Sequence, residues 1–376
     1  MRSDPEKILR QIMARFVYEE VVPRAREMDE AASFPWEMFR KLAEMGAFTI
    51  RYPRPHGAGG NTTLFCIMCE EIAKGYMSLA AITAMQSLMG TNFLFKHGTD
   101  ELREKYFHPA MRGEMVASFA LTEPEAATDL ANVRTMAERD GDSWVINGMK
   151  TWITNGPVAD FFTVLAQTSR GSGLKGLNFF FVPRDRPGVS TSKKFDKLGT
   201  RATEISELAF KDVVIPLEYR LGEEGRGMAN LFAILAEIRT MTAALALGLA
   251  RAAYEASAKY AMERTQFGRP IGRFQLIQSK IADMATEIWA SHLMTYEASR
   301  KIDRKEPAMK EASMAKYFAT ETACKASDQA TRIFGAYSYA MEYEVQRYYR
   351  DNRFLLFGGG TAEILQTIIS RECGVF

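Results

Sequence analysis

The sequence predicts an α+β protein of several domains, with helices first, strands second and a helical bundle last. Three observations predict this order. Apolar residues recur at helical spacing in residues 1–116, β-branched and aromatic runs between turn residues fill residues 117–222, and long alanine-rich helical patterns occupy residues 223–376. These three ranges are the predicted domains.

Apolar pairs such as Ile8 with Ile12 indicate the helices of the first domain. Two prolines and three glycines between Tyr52 and Gly60 interrupt the helical pattern and predict a loop. Cys66 and Cys69 lie within an apolar helical pattern, with no second cysteine pair and no histidine cluster in the sequence. We therefore expect buried, unreactive thiols and no metal site.

Short runs of β-branched and aromatic residues predict a compact β domain. The predicted strands are Ser143 to Ile146, Phe161 to Leu165, Leu177 to Val182, Leu208 to Phe210 and Val213 to Ile215. Asp140-Gly141 is typical of a hairpin turn between two strands.

Broadly apolar helical patterns predict an antiparallel four-helix bundle at the carboxyl end. The expected helices are Met228 to Arg264, Gln275 to Asp303, Lys310 to Phe334, and a last helix after Thr361. Gly268, Pro270 and Gly272 separate the first of these from the second.

Charge and composition exclude several classes of function. The 376 residues include 48 basic and 46 acidic ones, so a net charge of +2 does not favour a nucleic-acid partner. The charged opening, Met1 to Lys7, and the short apolar runs predict a cytoplasmic protein without membrane insertion. Gly171 to Gly176 has the G-x-G-x-x-G spacing but lies between two predicted strands, so no such motif leads from a strand into a helix, and the sequence has neither G-K-S/T nor H-E-x-x-H.

Four motifs resemble those of the acyl-CoA dehydrogenase family. They are Leu121-Thr122-Glu123-Pro124, the segment Gly148 to Gly156, the segment Arg264 to Ile271, and Gly359-Gly360-Thr361-Ala362-Glu363. The resemblance implies the family's fold, with a β-barrel-like middle domain between a helical domain and a four-helix bundle. It also implies bound FAD, an acyl-CoA thioester as substrate, an electron-transfer flavoprotein as partner and a homotetramer.

The resemblance assigns FAD contacts to residues in all four motifs. A flavin that accepts hydride needs hydrogen-bond donors near N1 and C2, and a diphosphate needs a permanent cation. The implied FAD contacts are Leu121, Thr122, Trp152, Thr154, Arg264, Phe267, Thr361 and Glu363. Arg264 and Phe267 are expected to contact the FAD of a neighbouring subunit, and Arg239, Gly359 and Gly360 to contact the substrate.

The catalytic base of the family has no counterpart in this sequence. The family residue aligned with Gly359 is commonly the glutamate that removes the substrate's α-proton. Other members place an acid at the position of Ile238, or on a helix that corresponds roughly to Met77 through Phe95. This chain has no aspartate or glutamate from Ile72 through Thr99. Glu237 is a weak candidate, because one helical step turns its side chain by about 100° from that of Ile238.

Three hypotheses for the chemistry remain open. An unrecognised base, such as Glu237, serves an oxidative dehydrogenase. Alternatively, the substrate forms its own Cα carbanion by losing carbon dioxide, or the enzyme is an enoyl-CoA reductase that takes its proton from water or a hydroxyl. In the third, the chain is a non-catalytic flavin- or CoA-binding paralogue. The missing side chain at Gly359 also predicts room for a branched, cyclic or aromatic acyl group.

Overall fold

The computed structural model describes residues 4–375, so Met1, Arg2 and Ser3 of the charged opening and Phe376 lie outside the described residues. The first part of the chain is helical. Its α-helices are α1 (Pro5–Phe16), α2 (Ala25–Ala31), α3 (Trp36–Glu44), α4 (Thr62–Gly75), α5 (Met77–Ala84), α6 (Asn92–His97), α7 (Asp100–Leu102) and α8 (His108–Met111). Asp4 caps α1 by accepting from the backbone N–H groups of Glu6 and Lys7. The predicted loop after Tyr52 is confirmed.

A mixed sheet follows. Its strands are β1 (Ala117–Ala120), β2 (Met136–Asp140), β3 (Ser143–Thr154), β4 (Phe161–Gln167), β5 (Leu177–Pro183), β6 (Val189–Thr191), β7 (Ile205–Pro216) and β8 (Arg220–Leu221). The strand order is β6-β7-β3-β2-β4-β5-β8, and β1 pairs with β4 in parallel. Asp140 pairs with Ser143, which confirms the predicted hairpin. Every residue of β4 and β5 is buried, so these strands form the core of the sheet.

The last part of the chain is a helical bundle. It contains α9 (Gly227–Glu263), a small hairpin of β9 (Thr265–Gln266) and β10 (Arg269–Pro270), then α10 (Gln275–Asp303), α11 (Met309–Phe334), α12 (Val345–Asp351) and α13 (Ala362–Glu372). The four longest of these helices, α9, α10, α11 and α13, are the four that the sequence predicts. The fold class is therefore confirmed.

Helix α9 is the central element of the bundle. It packs against α10 and α11 and also against α4, which joins the bundle to the first part of the chain. Within residues 4–375 it is also the one helix long and apolar enough to cross a membrane, but 72% of its most apolar window is buried. Its apolar character is that of a core helix in a bundle.

A buried ionic cluster lies between α1, α4, α9 and α10. The carboxylates of Glu70 and Glu71 contact the guanidinium groups of Arg10 and Arg251, with Arg251 Nη1 2.8 Å from Glu71 Oε1. The hydroxyl of Tyr296 also donates to Glu70. Because each buried charge has an opposite partner, the cluster holds the first helices on the bundle without leaving an isolated charge.

Cys66 and Cys69 are both fully buried in α4. Burial raises the pKa of both thiols, which keeps them protonated and unreactive. In the part of the chain that the structure describes, no group of three or more histidine, cysteine or acidic side chains is arranged to hold a metal ion.

Candidate active site

A β-bulge turns Trp152 out of the sheet. The pairing of β3 with β7 shifts register between Lys150 and Ile153, and Trp152 adopts a positive φ of 59°. A bulge adds a residue to one strand and re-aims the side chains beside it. As a result, the Trp152 indole is 62% exposed and has the ring of Phe195 at its edge, 4.9 Å away between centroids.

Lys150 joins two of the sequence motifs and was missed by the sequence analysis as a site residue. Its Nζ donates to the Leu121 carbonyl at 3.0 Å and to Glu123 Oε1 at 2.7 Å. Glu123 also accepts from the backbone N–H groups of Arg134 and Thr135. The alternation of residue types along β3 does not predict this contact, because the contact depends on how the loop after β1 folds back onto β3.

The Lys150–Glu123 pair is buried. Burial lowers the pKa of Lys150 to about 8. Burial also favours the protonated form of Glu123, but Lys150 and the backbone donors outweigh it and lower its pKa. The pair holds Leu121 and Thr122 beside β3, where Thr122 accepts from the Thr151 backbone N–H at 2.9 Å. Thr154 is tied to β1, because its carbonyl accepts from the Ser118 hydroxyl.

The hairpin of β9 and β10 projects from the end of α9. Phe267 lies at its tip with a positive φ of 50° and is 94% exposed. The guanidinium of Arg264, at the base of the hairpin, lies over the ring of Tyr337. Among residues 4–375, no carboxylate lies within 4 Å of it, so this cation is available to an anion.

Three glycines, Gly358 to Gly360, form the turn before α13. Gly359 and Gly360 have φ values of 74° and 109°, which favour glycine. Lys316, which is buried on α11, holds the turn by donating to the Gly360 carbonyl at 2.6 Å. Thr361 then caps α13 by accepting from the Ile364 backbone N–H, and Glu363 is exposed in the first helical turn.

Gly359 faces α9 at Ile238 and Thr242. A Cβ atom built on Gly359 would lie 3.2 Å from Thr242 Oγ1 and 3.7 Å from Ile238 Cγ2. Ile238 and Gly359 are 121 positions apart in sequence but adjacent in space. No acidic side chain is present at either position.

Arg239 lies beside the same turn without an acidic partner. Its Nη2 is 4.0 Å from a Cβ built on Gly360, and its Nη1 donates to Met309 Sδ and to Ser313 Oγ. The side chain is buried, and its Nε has no hydrogen-bond partner. Burial lowers the pKa of Arg239 to about 10, and no acidic side chain contributes to this shift.

Glu237 turns away from the glycine turn. Its two carboxylate oxygens accept from Arg51, with Nε 2.9 Å from Oε1 and Nη2 2.6 Å from Oε2. Arg51 also donates to Asn92 Oδ1 at 3.2 Å. The two-point pair fixes the Glu237 carboxylate against the first helical region of the chain.

These residues fit a flavin cofactor. An exposed indole at a bulge offers a flat apolar surface, and hydroxyl groups at Thr122 and Thr154 lie along the same motif segments. The amino end of α13 and the free guanidinium of Arg264 have the positive charge that would suit phosphate groups. When bound, FAD supplies hydride transfer at N5.

Three domain families match almost the whole chain: the acyl-CoA dehydrogenase N-terminal domain over residues 3–114, the middle domain over residues 118–213, and the C-terminal domain over residues 225–374. The chain belongs to the acyl-CoA dehydrogenase family. The butyryl-CoA dehydrogenase of Megasphaera elsdenii has the same fold, with a TM-score of 0.95 and 31% sequence identity over 99% of both chains.

Three curated relatives each match 98% of the chain and 98% of their own length. The chain is 48% identical to the benzylmalonyl-CoA dehydrogenase of Aromatoleum aromaticum and 40% identical to the 3-(aryl)acrylate reductase of Clostridium sporogenes. It is 36% identical to the caffeyl-CoA reductase-Etf complex subunit CarC of Acetobacterium woodii. This acyl-CoA dehydrogenase is therefore a flavoenzyme that acts on CH–CH bonds, and FAD is its cofactor.

Proposed function

We propose that the protein oxidises the Cα–Cβ bond of an acyl-CoA thioester that carries an aromatic group, without an enzyme carboxylate to remove an α-proton. The observation that carries this proposal is the approach of Gly359 to Ile238, whose Cγ2 lies 3.7 Å from a Cβ built on Gly359. The sequence resemblance makes these the two positions at which members of the family place the base, and neither has an acidic side chain here.

Glu237 does not replace the missing base in this proposal. Both of its oxygens accept hydrogen bonds from Arg51, and the pair lies on the side of α9 that faces the first helical region. We assign Glu237 a positioning role, in which it holds α9 and the loop at Arg51 together.

The aromatic acyl group is supported by the relatives and by the missing side chain at Gly359. The relatives at 48% and 40% identity have names that specify benzyl and aryl groups. No side chain of Gly359 covers Ile238 on α9, whose Cγ2 lies 3.7 Å from a Cβ built on Gly359. An aromatic group is large and apolar, so its burial against Ile238 would be favourable.

An anaerobic titration of the FAD-loaded enzyme tests the proposed reaction. Aryl-substituted thioesters, including benzylmalonyl-CoA and 3-phenylpropionyl-CoA, are compared with butyryl-CoA by following flavin absorbance. We expect at least one aryl thioester to bleach the flavin and butyryl-CoA to leave it oxidised. Bleaching by butyryl-CoA alone would contradict the assignment of an aromatic substrate.

A second candidate is reduction of an aryl-substituted enoyl thioester, which is favoured by the relative named as a 3-(aryl)acrylate reductase. In this direction a proton must reach Cα from water or a hydroxyl group. The hydroxyl oxygen of Thr242 lies 3.2 Å from a Cβ built on Gly359 and donates to the Ile238 carbonyl at 2.8 Å. The discriminating result is rapid reoxidation of the chemically reduced enzyme by cinnamoyl-CoA, with no bleaching of the oxidised enzyme by any saturated thioester.

We also propose an electron-transfer flavoprotein as electron partner, homotetrameric assembly and a cytoplasmic location. The name of the relative CarC places that protein in a complex with such a flavoprotein. Assembly is supported by large exposed apolar side chains on the hairpin and on α10, namely Phe267, Leu276 and Trp289. The contacts of Leu121, Thr122, Trp152, Thr154, Arg264, Phe267, Thr361 and Glu363 with FAD are part of the same proposal.

Replacing Phe267 with serine tests the proposed role of the hairpin in assembly. The side chain is exposed and has little to lose within one chain, so the free energy of unfolding of the subunit should change by less than about 0.5 kcal/mol. We expect a smaller assembly by light scattering and a lower FAD content after gel filtration. Unchanged mass and FAD content would contradict this role, and Leu174→Ser, on an exposed turn of the β domain, is the matched control.

A further inference from the structure

We infer that Arg239 binds a carboxylate carried on Cα of the substrate's acyl group, so that the substrate is a malonyl-type thioester with an aryl substituent. This inference rests on the proposed function and names the substrate class of the same site. In this account, the substrate carries the carboxylate that the enzyme lacks.

One edge of the Arg239 guanidinium is free. Nη1 is occupied by Met309 and Ser313, whereas Nε and Nη2 have no hydrogen-bond partner within residues 4–375. Nε and Nη2 share one edge of the planar group, which is the fork that binds a carboxylate at two points. Arg51 uses the same two nitrogens to bind Glu237 in this structure.

Arg239 lies in a buried region with unbalanced positive charge. Arg239 is 4% exposed and no carboxylate lies within 4 Å of it in the described chain. Lys316, the second buried cation of the turn, donates only to carbonyl groups. Burial, and to a smaller extent the nearby charge of Arg239, lowers the pKa of Lys316 to about 8. Two buried cations without an anion are costly, and a bound anion relieves that cost.

The free edge of Arg239 lies beside the glycine turn. Nη2 lies 4.0 Å from a Cβ built on Gly360, the residue next to Gly359. A side chain on Gly359 would press against Ile238 and Thr242. We place the substrate's Cα carboxylate at the free edge of Arg239, beside a turn in which residues 358–360 carry no side chain.

This substrate class also removes the need for a base. In an arylmethylmalonyl thioester, R–CH₂–CH(COO⁻)–CO–S–CoA, the bond from Cα to the carboxylate breaks and carbon dioxide leaves. The electron pair of that bond forms the Cα–Cβ double bond as hydride leaves Cβ for FAD. The thioester is oxidised by two electrons, FAD is reduced to its anionic hydride form, and no proton leaves Cα. Arg239 supplies recognition rather than bond cleavage, since a cation stabilises the starting carboxylate.

Binding to the enzyme whose FAD has been reduced with dithionite tests the inference without turnover. Benzylmalonyl-CoA and 3-phenylpropionyl-CoA differ only in the Cα carboxylate, and both are titrated calorimetrically. We expect benzylmalonyl-CoA to bind the wild type at least about 10-fold more tightly. In Arg239→Met its Kd should rise about 30-fold or more, while that of 3-phenylpropionyl-CoA changes less than about threefold.

Two further variants separate recognition from a structural effect. Arg239→Lys keeps the charge without the fork and should recover part of the discrimination between the two thioesters. Lys325→Met removes an exposed cation from α11, the helix that carries Lys316, and should bind both thioesters like the wild type. FAD content and melting temperature are measured for each variant. If Arg239→Met does not fold, Arg239→Lys is compared with the wild type instead, and equal affinity of the wild type for the two thioesters still overturns the inference.

The release of carbon dioxide is measured in parallel with flavin bleaching. We expect one carbon dioxide for each FAD reduced by benzylmalonyl-CoA. Equal affinity of the wild type for the two thioesters, or equal weakening of both by Arg239→Met, overturns the inference even if an aryl thioester bleaches the flavin, in which case the proposed function stands. Failure of every aryl thioester to exchange electrons with FAD overturns the proposed function itself.

Discussion

Replacing Gly359 with glutamate is expected to create a dehydrogenase for 3-phenylpropionyl-CoA, a thioester without a Cα carboxylate. The new carboxylate would lie beside Ile238 and Thr242, where it can remove the α-proton. A positioned general base contributes roughly 10²–10⁴-fold to the rate of proton transfer. We therefore expect stopped-flow bleaching by 3-phenylpropionyl-CoA to accelerate roughly 10²-fold or more over the wild type.

Gly359→Gln is the matched control for this gain. Glutamine at this position would meet the same positive φ and the same 3.2 Å approach of Cβ to Thr242 Oγ1 as glutamate, but its side chain is not a base. It should bleach no faster than the wild type. Equal rates for the wild type and Gly359→Glu, with FAD still bound to both, would show that the α-proton is removed elsewhere.

Replacing Lys150 with methionine is expected to produce the largest loss of stability. The change leaves the buried carboxylate of Glu123 without its cation, and the loss of one partner from a buried pair costs about 3–5 kcal/mol. Because Lys150 also holds the Leu121 carbonyl, the segment at Thr122 should loosen. We expect a lower free energy of unfolding in urea and a weaker retention of FAD.

The double variant Lys150→Met/Glu123→Leu isolates the cause of that loss. Removing both charges avoids an unpaired carboxylate, so the double variant should be more stable than Lys150→Met alone. Lys175→Met, at an exposed lysine, should lie within about 0.5 kcal/mol of the wild type. A Lys150→Met protein as stable as the Lys175→Met control would refute the role of the pair.

Local pattern was sufficient to predict most of the fold. The ends of α10 coincide with the predicted Gln275 and Asp303, and the hairpin at Gly141 lies between the predicted strands. These features depend on helical spacing, glycines and prolines, which act within a few residues. The apolar pattern of α9 also predicted a helix, and its burial against three other helices explains why that helix is so apolar.

The contacts of the candidate site depend on residues far apart in sequence. Nothing around Glu237 in the sequence indicates Arg51 as its partner, and nothing around Arg239 indicates that its guanidinium lacks one. The meeting of Gly359 with Ile238 likewise follows from the packing of the turn before α13 against α9. Helical geometry did predict that Glu237 and Ile238 point in different directions, and their contacts agree with this.

The exchange of hydrogen at Cα tests the absence of a base most directly. The FAD-loaded enzyme is incubated anaerobically in D₂O with saturating 3-phenylpropionyl-CoA, and deuterium at Cα is measured by mass spectrometry. The saturating concentration is chosen from the Kd of 3-phenylpropionyl-CoA for the reduced enzyme. Gly359→Glu is the positive control. We expect the wild type to incorporate no more deuterium than an enzyme-free sample. Incorporation by the wild type at the rate of the Gly359→Glu variant would contradict the account, because it would require a base against Cα.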